Sequence, residues 1–414
     1  MKYRREIDGL RAIAVLPVIF FHAGFDQFSG GFVGVDVFFV ISGYLITSLL
    51  ISDIERKNFS ILNFYERRAL RILPALFIVM IACTPFAYAW MFPIELKNFF
   101  QSLVAVSLFS SNFLFWLEEG YFAPSAELKP LLHTWSLAVE EQYYLIFPIF
   151  LITFWKLGRK KVFWIISFLA LSSLLFSEWG WRNFPSANFY LAPSRAFELL
   201  AGSLCAFIIF YSEIRRNNFF SFLGLLLILF SVFNFDENTP FPSFYALVPV
   251  FGTSLIILFS REDTIISKIL STKLFVGIGL ISYSAYLWHQ PLFAFARLRS
   301  VTEPSELLMI SLALLSLILA WITWSLVEQP FRKRKFFFLK KQKKVLSLSF
   351  AFILLFGFIG FYGHLNEGFK NRSNGDLLIG SLDERLDKNY GLHKDCESLL
   401  NDSKITSSEN CFTS

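Results

Sequence analysis

The chain has 414 residues, 55% of them hydrophobic and only 17% charged, with 53 phenylalanines and a mean hydropathy of +0.53. That balance excludes a soluble globular enzyme, and apolar runs of roughly 13 to 25 residues between short charged loops are the pattern of an all-α, polytopic transmembrane helical bundle. The net charge of +6 is dispersed through loops instead of gathered on one face, which excludes a nucleic-acid surface and makes the charge a guide to topology.

The first run, residues 10–25, follows Lys2, Arg4 and Arg5 but also Glu6 and Asp8, and no A-x-A site follows it. It therefore reads as an uncleaved helix that leaves the N-terminus in the cytoplasm. Residues 30–51 return the chain to a segment carrying Arg56, Lys57, Arg67, Arg68 and Arg71, cytoplasmic by the same rule, and 72–92 cross outward. The next run, 99–117, precedes an acidic loop with Glu118, Glu119, Glu127, Glu140 and Glu141, while Lys156, Arg159, Lys160 and Lys161 follow the run 143–155. Both loops obey the positive-inside rule only if 99–117 is an interfacial or re-entrant helix that does not cross. Crossings at 162–176, 195–211, 219–235, 244–259, 274–298, 307–327 and 345–362 bring the total to about eleven. The basic segment 332–344 then lies in the cytoplasm and the polar tail from 363 outside. Cys83 and Cys205 fall inside spans as packing residues; Cys396 and Cys411 fall in the tail, where a disulfide can form.

Ionisable residues inside spans are costly and are candidates for function. Arg11 and His22 are eleven residues apart, which returns to the same face of a helix about 16 Å further along. One stripe thus carries a cation near the cytoplasm and an imidazole in the outer half, although His22 alone fits a satisfied buried histidine and Arg11 alone a snorkelling one. Asp36, near the outer end of the second helix, comes to a depth comparable with His22; a carboxylate beside an imidazole would fix its tautomer and raise its basicity, as a general base requires, and a plain helix-to-helix polar contact fits equally. Arg67 and Arg71, one turn apart at the cytoplasmic mouth of the third span, suit forked bonds to a phosphate, or simple orientation of the helix. His133, Ser136 or Leu137, and Glu140 share a helical face in His133-Thr-Trp135-Ser136-Leu137-Ala-Val-Glu140-Glu141 and could shape the rim of an active site, and a solvated loop-helix fits as well. Arg195 and Glu198 read as an i,i+3 ion pair. Ser282-Tyr283-Ser-Ala-Tyr286-Leu-Trp288-His289-Gln-Pro291 puts a second histidine in a span beside a proline expected to interrupt it, and Glu328-Gln-Pro330 closes the core. No P-loop, H-E-x-x-H or G-x-S-x-G motif is present, and no metal site is expected.

In this order the segments Asp8-Gly-Leu-Arg11, Phe21-His22, Gly30-Gly-Phe-Val-Gly-Val-Asp36-Val-Phe-Phe-Val-Ile-Ser-Gly, Tyr65-Glu-Arg67-Arg68-Ala-Leu-Arg71-Ile-Leu-Pro, His133-Thr-Trp135-Ser136-Leu-Ala-Val-Glu140-Glu141-Gln, Ser282-Tyr-Ser-Ala-Tyr286-Leu-Trp-His289 and Val327-Glu328-Gln-Pro resemble the acyltransferase-3 family of integral membrane acyltransferases. The likeness is strongest to the bacterial branch that O-acetylates surface polysaccharides and often carries an external SGNH-hydrolase-like domain. It covers residues 1 to about 335, with 336–363 the basic loop and last helix, and 364–414 an extracytoplasmic linker and cysteine-bearing start of that further domain. The resemblance implies essential roles for Arg11 and His22 and for the basic motif Arg67 to Arg71. It implies acyl-CoA, as acetyl-CoA, as a donor substrate with no permanently bound cofactor, its phosphates near Arg67, Arg68 and Arg71, with Arg11 as a further candidate. His22, supported by Asp36 or Glu140, would be the base for a sugar hydroxyl or would relay the acyl group outward, with His133, Trp135, Ser136, Glu141, Tyr286, His289 and Glu328 lining the substrate path. The acceptor would be a surface polysaccharide such as lipopolysaccharide O-antigen, or a lipid-linked glycan, at the outer face of the inner membrane. On that expectation the SGNH domain would be either cut from this chain or supplied by a separate protein. The rival function is a transporter or flippase of a lipid-linked sugar, against which stands the absence of an internal repeat in the sequence.

Overall fold

The computed structural model describes residues 3–119, 126–261, 263–300, 302–370 and 372, with the side chains of 337 and 338 excepted. In chain order the helices are α1 (Arg5–His22), α2 (Gly34–Glu55), α3 (Ile61–Trp90), α4 (Pro93–Ser107), α5 (Ser111–Leu117), α6 (Thr134–Trp155), α7 (Arg159–Asn183), α8 (Pro185–Tyr190), α9 (Ala192–Tyr211), α10 (Asn218–Asn234), α11 (Leu247–Phe259), α12 (Ile265–Leu270), α13 (Lys273–Arg299), α14 (Glu306–Thr323), α15 (Gln329–Arg332) and α16 (Gln342–Leu365). Among the described residues there is no strand, and seven helices are long and apolar enough to cross a membrane, with α10 and α11 as shorter apolar helices. The chain is a multi-pass membrane protein. Cys396 and Cys411 lie outside the described residues.

The run 99–117 is broken at Leu108–Ser110, where Phe109 has φ +51°. The pieces, α4 and α5, rise about 22 and 10 Å at 1.5 Å per residue, short of the ~30 Å hydrocarbon core. Polar groups of neighbouring elements hold the break inside the bundle: Gln142 Nε2 donates to the Phe109 carbonyl at 3.0 Å and to Asn112 Oδ1 at 2.9 Å, and Asn112 Nδ2 donates to the Tyr190 carbonyl at 3.2 Å.

Two helix pairs set the centre of the bundle, and both depend on glycine, because helices in lipid associate through close packing and not through hydrophobic exclusion from water. On α2 and α9, a Cβ at Gly43 would lie 1.8 Å from the Leu199 carbonyl oxygen, and one at Gly202 would lie 1.9 Å from that of Val40. On α1 and α13, which run side by side in the same direction, a Cβ at Gly279 would lie 1.7 Å from the Asp8 carbonyl oxygen. Around this centre, α7, α14 and α16 turn Trp164, Phe168, Leu314, Ile318, Phe350 and Phe358 outward, the apolar surface a lipid-facing helix presents.

Three local departures matter for the site. Thr134 starts α6 nine residues before the apolar run, so the motif from His133 to Glu141 heads a spanning helix instead of a loop. Pro291 does not interrupt α13, which continues to Arg299; neighbouring packing tolerates the missing amide bond. After α14 the chain makes one π turn, Trp324–Glu328, before α15, a feature that re-aims side chains. Here it leaves Glu328 buried, accepting a 2.5 Å bond from Ser284 Oγ of α13.

Candidate functional site: two adjoining cavities between arginines and histidines

Near the N-terminal end of α1 and the C-terminal end of α2, two adjoining cavities penetrate the bundle. The wider, about 360 Å³, is lined by Tyr3, Arg4, Asp8, Arg11, Arg71, Glu328 and Arg332 among others. The deeper, about 80 Å³, shares Arg11, Arg71, Ser282 and Tyr283 with it and continues past Arg68, Ser42 and Glu140 to Ser136 and Tyr286. The arginines at this end are held by bonds that leave donors over. Arg11 Nη1 is 3.2 Å from Asp8 Oδ1, whose second oxygen accepts from Tyr3 at 2.5 Å. Partial burial and the Asp8 carboxylate push the Tyr3 phenol up to about 12, so it stays a neutral donor. Ser42 of α2 donates a short bond to Glu140 of α6, and Tyr283 donates to the Ile72 carbonyl at 2.9 Å.

At the far end lie three imidazoles. His22 is the last residue of α1, and its Nδ1 is 2.9 Å from the Val18 carbonyl. A carbonyl only accepts, so Nδ1 carries the proton in the neutral ring and Nε2 keeps its lone pair. His289 makes the same choice through the Tyr286 carbonyl at 2.6 Å. The His22 and His289 ring centroids are 5.1 Å apart, and His289 and His133 are 5.5 Å apart. Tyr286 joins the two ends. Its hydroxyl, 2.7 Å from Ser136 Oγ and 3.0 Å from the His133 carbonyl, faces the inner cavity, while its ring is 5.2 Å from His289 and 5.4 Å from His133.

The histidine end is closed by Arg297. Its Nη2 donates to the His22 carbonyl at 2.8 Å and its Nε is 3.0 Å from Glu127 Oε2, which satisfies an orphan carbonyl at the C-terminus of α1 and favours the helix dipole. Gln290 Nε2 reaches the Lys129 carbonyl at 3.3 Å, so residues 126–133 are tied down over the imidazoles.

The structure therefore brings together Arg11, Arg68, Arg71, Ser136, Glu140, Tyr286 and Glu328 along the two cavities, with His22, His133 and His289 beyond Tyr286. Two expected placements are corrected. Asp36 does not support His22: its Oδ1 is 3.3 Å from Arg195 Nη1, and Glu198 Oε1 is 3.0 Å from the same nitrogen, all three side chains at most 1% exposed. Helix two turns the carboxylate toward α9, where a buried cation is available, and a ring, His289, fills the place beside His22. Arg195 and Glu198 form the expected i,i+3 ion pair, and Asp36 joins them in a buried triad. Arg67 is not paired with Arg71 for a phosphate. Its guanidinium, 43% exposed, bonds Asp53 at 2.8 Å outside both cavities. Trp135 sits one step back from the passage, its ring 5.2 Å from the Arg195 guanidinium. Glu141 is behind Glu140, with Oε1 buried and without a hydrogen-bond partner.

Sequence reasoning missed Ser42, Tyr283, Arg297 and Arg332 as members of the passage. A signal existed for Arg297, which follows Tyr286 by eleven residues, the same-face spacing that links Arg11 to His22. Among the described residues no group of three or more His, Cys, Asp or Glu is arranged to hold a metal ion.

A family model for an acyltransferase domain matches residues 4–325. The peptidoglycan O-acetyltransferase OatA of Listeria monocytogenes is 33% identical over 359 residues, covering 81% of this chain and 57% of its own length. The O-acetyltransferase OatA of Staphylococcus aureus is 33% identical over 380 residues, covering 86% of this chain and 62% of its own. A putative O-acetyltransferase of the same organism is 28% identical over 415 residues, covering 95% of this chain and 68% of its own. The chain thus spans little more than half the length of several relatives it matches. No solved structure matches it. A match over most of its length makes this chain, a bundle of membrane-spanning helices, a member of the acyltransferase-3 family of integral membrane acyltransferases.

Proposed function

We propose that the protein is a membrane O-acyltransferase that accepts an acyl group, acetyl by the names of its relatives, from acyl-CoA at the arginine end and delivers it to a glycan hydroxyl at the histidine end. By the distribution of loop charge the arginine end faces the cytoplasm of a bacterial inner membrane and the histidine end faces outward. The observation that carries this reading is the pair of adjoining cavities that run from Arg11 and Arg71 to Tyr286, with a histidine of fixed tautomer beyond. The donor's dimensions support it. From diphosphate to sulfur the pantetheine arm has about thirteen bonds, and at ~1.2 Å per bond, the projection in an extended polypeptide, it spans roughly 16 Å. Arg11 and His22 are separated along α1 by eleven residues, also about 16 Å. Phosphates held at Arg11 and Arg71 put the thioester beside His22.

There the acceptor hydroxyl attacks the thioester carbonyl. Its proton passes to His22 Nε2, the new C–O bond forms, the C–S bond breaks, and the CoA thiolate takes the proton from the imidazolium. The Tyr286 and Ser136 hydroxyls line the approach, bonded to each other and to the His133 carbonyl, so a thioester carbonyl oxygen that enters must take over one of these donations, in surroundings whose low dielectric strengthens it. Because the Listeria relative is named for peptidoglycan, we place peptidoglycan or its lipid-linked precursor ahead of lipopolysaccharide as the acceptor. The test is release of CoA from acetyl-CoA by protein reconstituted in vesicles, with and without glycan, in wild type and Arg71→Ala. Glycan-dependent release that weakens in the variant supports the reading. Transport of a lipid-linked glycan by wild type with no release of CoA would refute it in favour of a flippase.

A further inference from the structure

A third cavity, about 790 Å³, opens between the N-terminal segment and the C-terminal ends of α2 and α9, and it shares Tyr3, Arg4 and Tyr44 with the passage. Its volume is in the range of about 300–1,000 Å³ typical of small-molecule sites. Four arginines line it, Arg4, Arg56, Arg216 and Arg261, against three acids, Glu6, Glu55 and Asp263. The acids are occupied. Glu6 pairs with Arg4 at 2.7 Å, Asp263 with Arg216, and Glu55 accepts from Tyr211 at 2.7 Å. Arg56 and Arg261 make no such pair among the described residues, so the cavity offers two uncommitted guanidinium groups, together with the ring of Phe210.

Resting on the reading above, we infer that this cavity receives the 3′-phosphoadenosine end of acyl-CoA, with Arg56 and Arg261 as the cations that meet its 3′-phosphate. The arm fixes the register. With the thioester at His22 the diphosphate is at the level of Arg11 and Arg71, so the nucleoside must lie one layer further toward the arginine end, where the shared wall of Tyr3, Arg4 and Tyr44 leads into this cavity. The anionic head is then read by Arg56 at the C-terminal end of α2 and Arg261 in the loop after α11, and not by Arg67, which is turned away to Asp53. A consequence is selection of complete CoA thioesters over pantetheine thioesters and 3′-dephospho-CoA, since planar guanidinium groups recognise phosphate dianions by forked bonds.

The test is binding of CoA, 3′-dephospho-CoA and pantetheine to the full chain in phosphatidylcholine nanodiscs. Wild type should prefer CoA over 3′-dephospho-CoA by about 10- to 100-fold, the worth of a charge-assisted phosphate contact. Arg56→Ala/Arg261→Ala should bring the two affinities together while leaving that for 3′-dephospho-CoA unchanged, which also shows that the variant is folded. Arg56→Lys/Arg261→Lys should retain part of the preference. A wild type that binds both nucleotides equally, or an alanine variant that keeps the full preference, overturns this assignment and leaves the acyltransferase reading intact. A folded wild type that binds neither CoA nor acetyl-CoA overturns both.

Discussion

Replacing His22 with asparagine isolates the lone pair from the fold. The Asn amide nitrogen can occupy the position of Nδ1 and keep the donation to the Val18 carbonyl, 2.9 Å away in the wild type, so the C-terminal turn of α1 retains its bond and the Arg297 cap keeps its carbonyl acceptor. What disappears is the basic nitrogen. A positioned general base contributes about 10²- to 10⁴-fold, or about 2.7 to 5.4 kcal/mol of barrier at 1.36 kcal/mol per decade. The arginines that would hold the phosphates are about 16 Å away along the helix, so KM for acyl-CoA should stay within a factor of about three while kcat falls by at least two decades, the signature of a loss confined to the transition state. Steady-state release of CoA, read with a thiol reagent on reconstituted protein, separates the two parameters. A kcat within tenfold of wild type, or a raised KM at unchanged kcat, would remove His22 from proton transfer and leave it a role in binding or packing.

Arg67→Ala should leave KM for acyl-CoA nearly unchanged and cost at most about 1 kcal/mol of stability, the range of an exposed ion pair; Arg71→Ala, one turn away inside both cavities, should raise KM about tenfold or more, the worth of a charged phosphate contact. Thermal melting in detergent should show Arg195→Met strongly destabilised, by about 3–5 kcal/mol, because it leaves Asp36 and Glu198 buried without their cation; the compensating triple variant Arg195→Met/Asp36→Asn/Glu198→Gln should recover most of the loss, and a triple as unstable as the single change would argue against the ion pairs. Gly279→Val places a side chain where a Cβ already meets the Asp8 carbonyl oxygen at 1.7 Å, so α1 and α13 must part; monodisperse protein on size-exclusion chromatography should fall sharply, whereas Gly277→Val, with open space at its Cβ, should behave as wild type.

Much of the bundle was legible because the membrane allows few solutions. A backbone in lipid must satisfy its own hydrogen bonds, so each long apolar run had to be a helix. Charge parity set 99–117 apart from the other runs, and the structure breaks that run at Leu108–Ser110 into α4 and α5. Arg11 and His22 were legible because the helical repeat fixes which residues share a face, whatever packs against it. Partners on other helices were not. Asp36 at a suitable depth looked like a carboxylate for His22, yet depth does not give rotation about the helix axis, and α2 turns it to Arg195.

The sequence by itself determined the helical class, the location of most spans and the residues whose intramembrane charge demands an explanation, because hydropathy, loop charge and the 3.6-residue repeat act within single segments. Only the tertiary structure decided that Asp36 belongs to a structural triad, that Arg67 stands outside the passage while Arg68 and Arg71 enter it, and that His133 and His289 join His22 from two other helices. Those pairings follow from which faces meet when glycines let α1 approach α13 and α2 approach α9, and the rotation of one helix against another depends on side-chain packing across the whole bundle, which no single segment records.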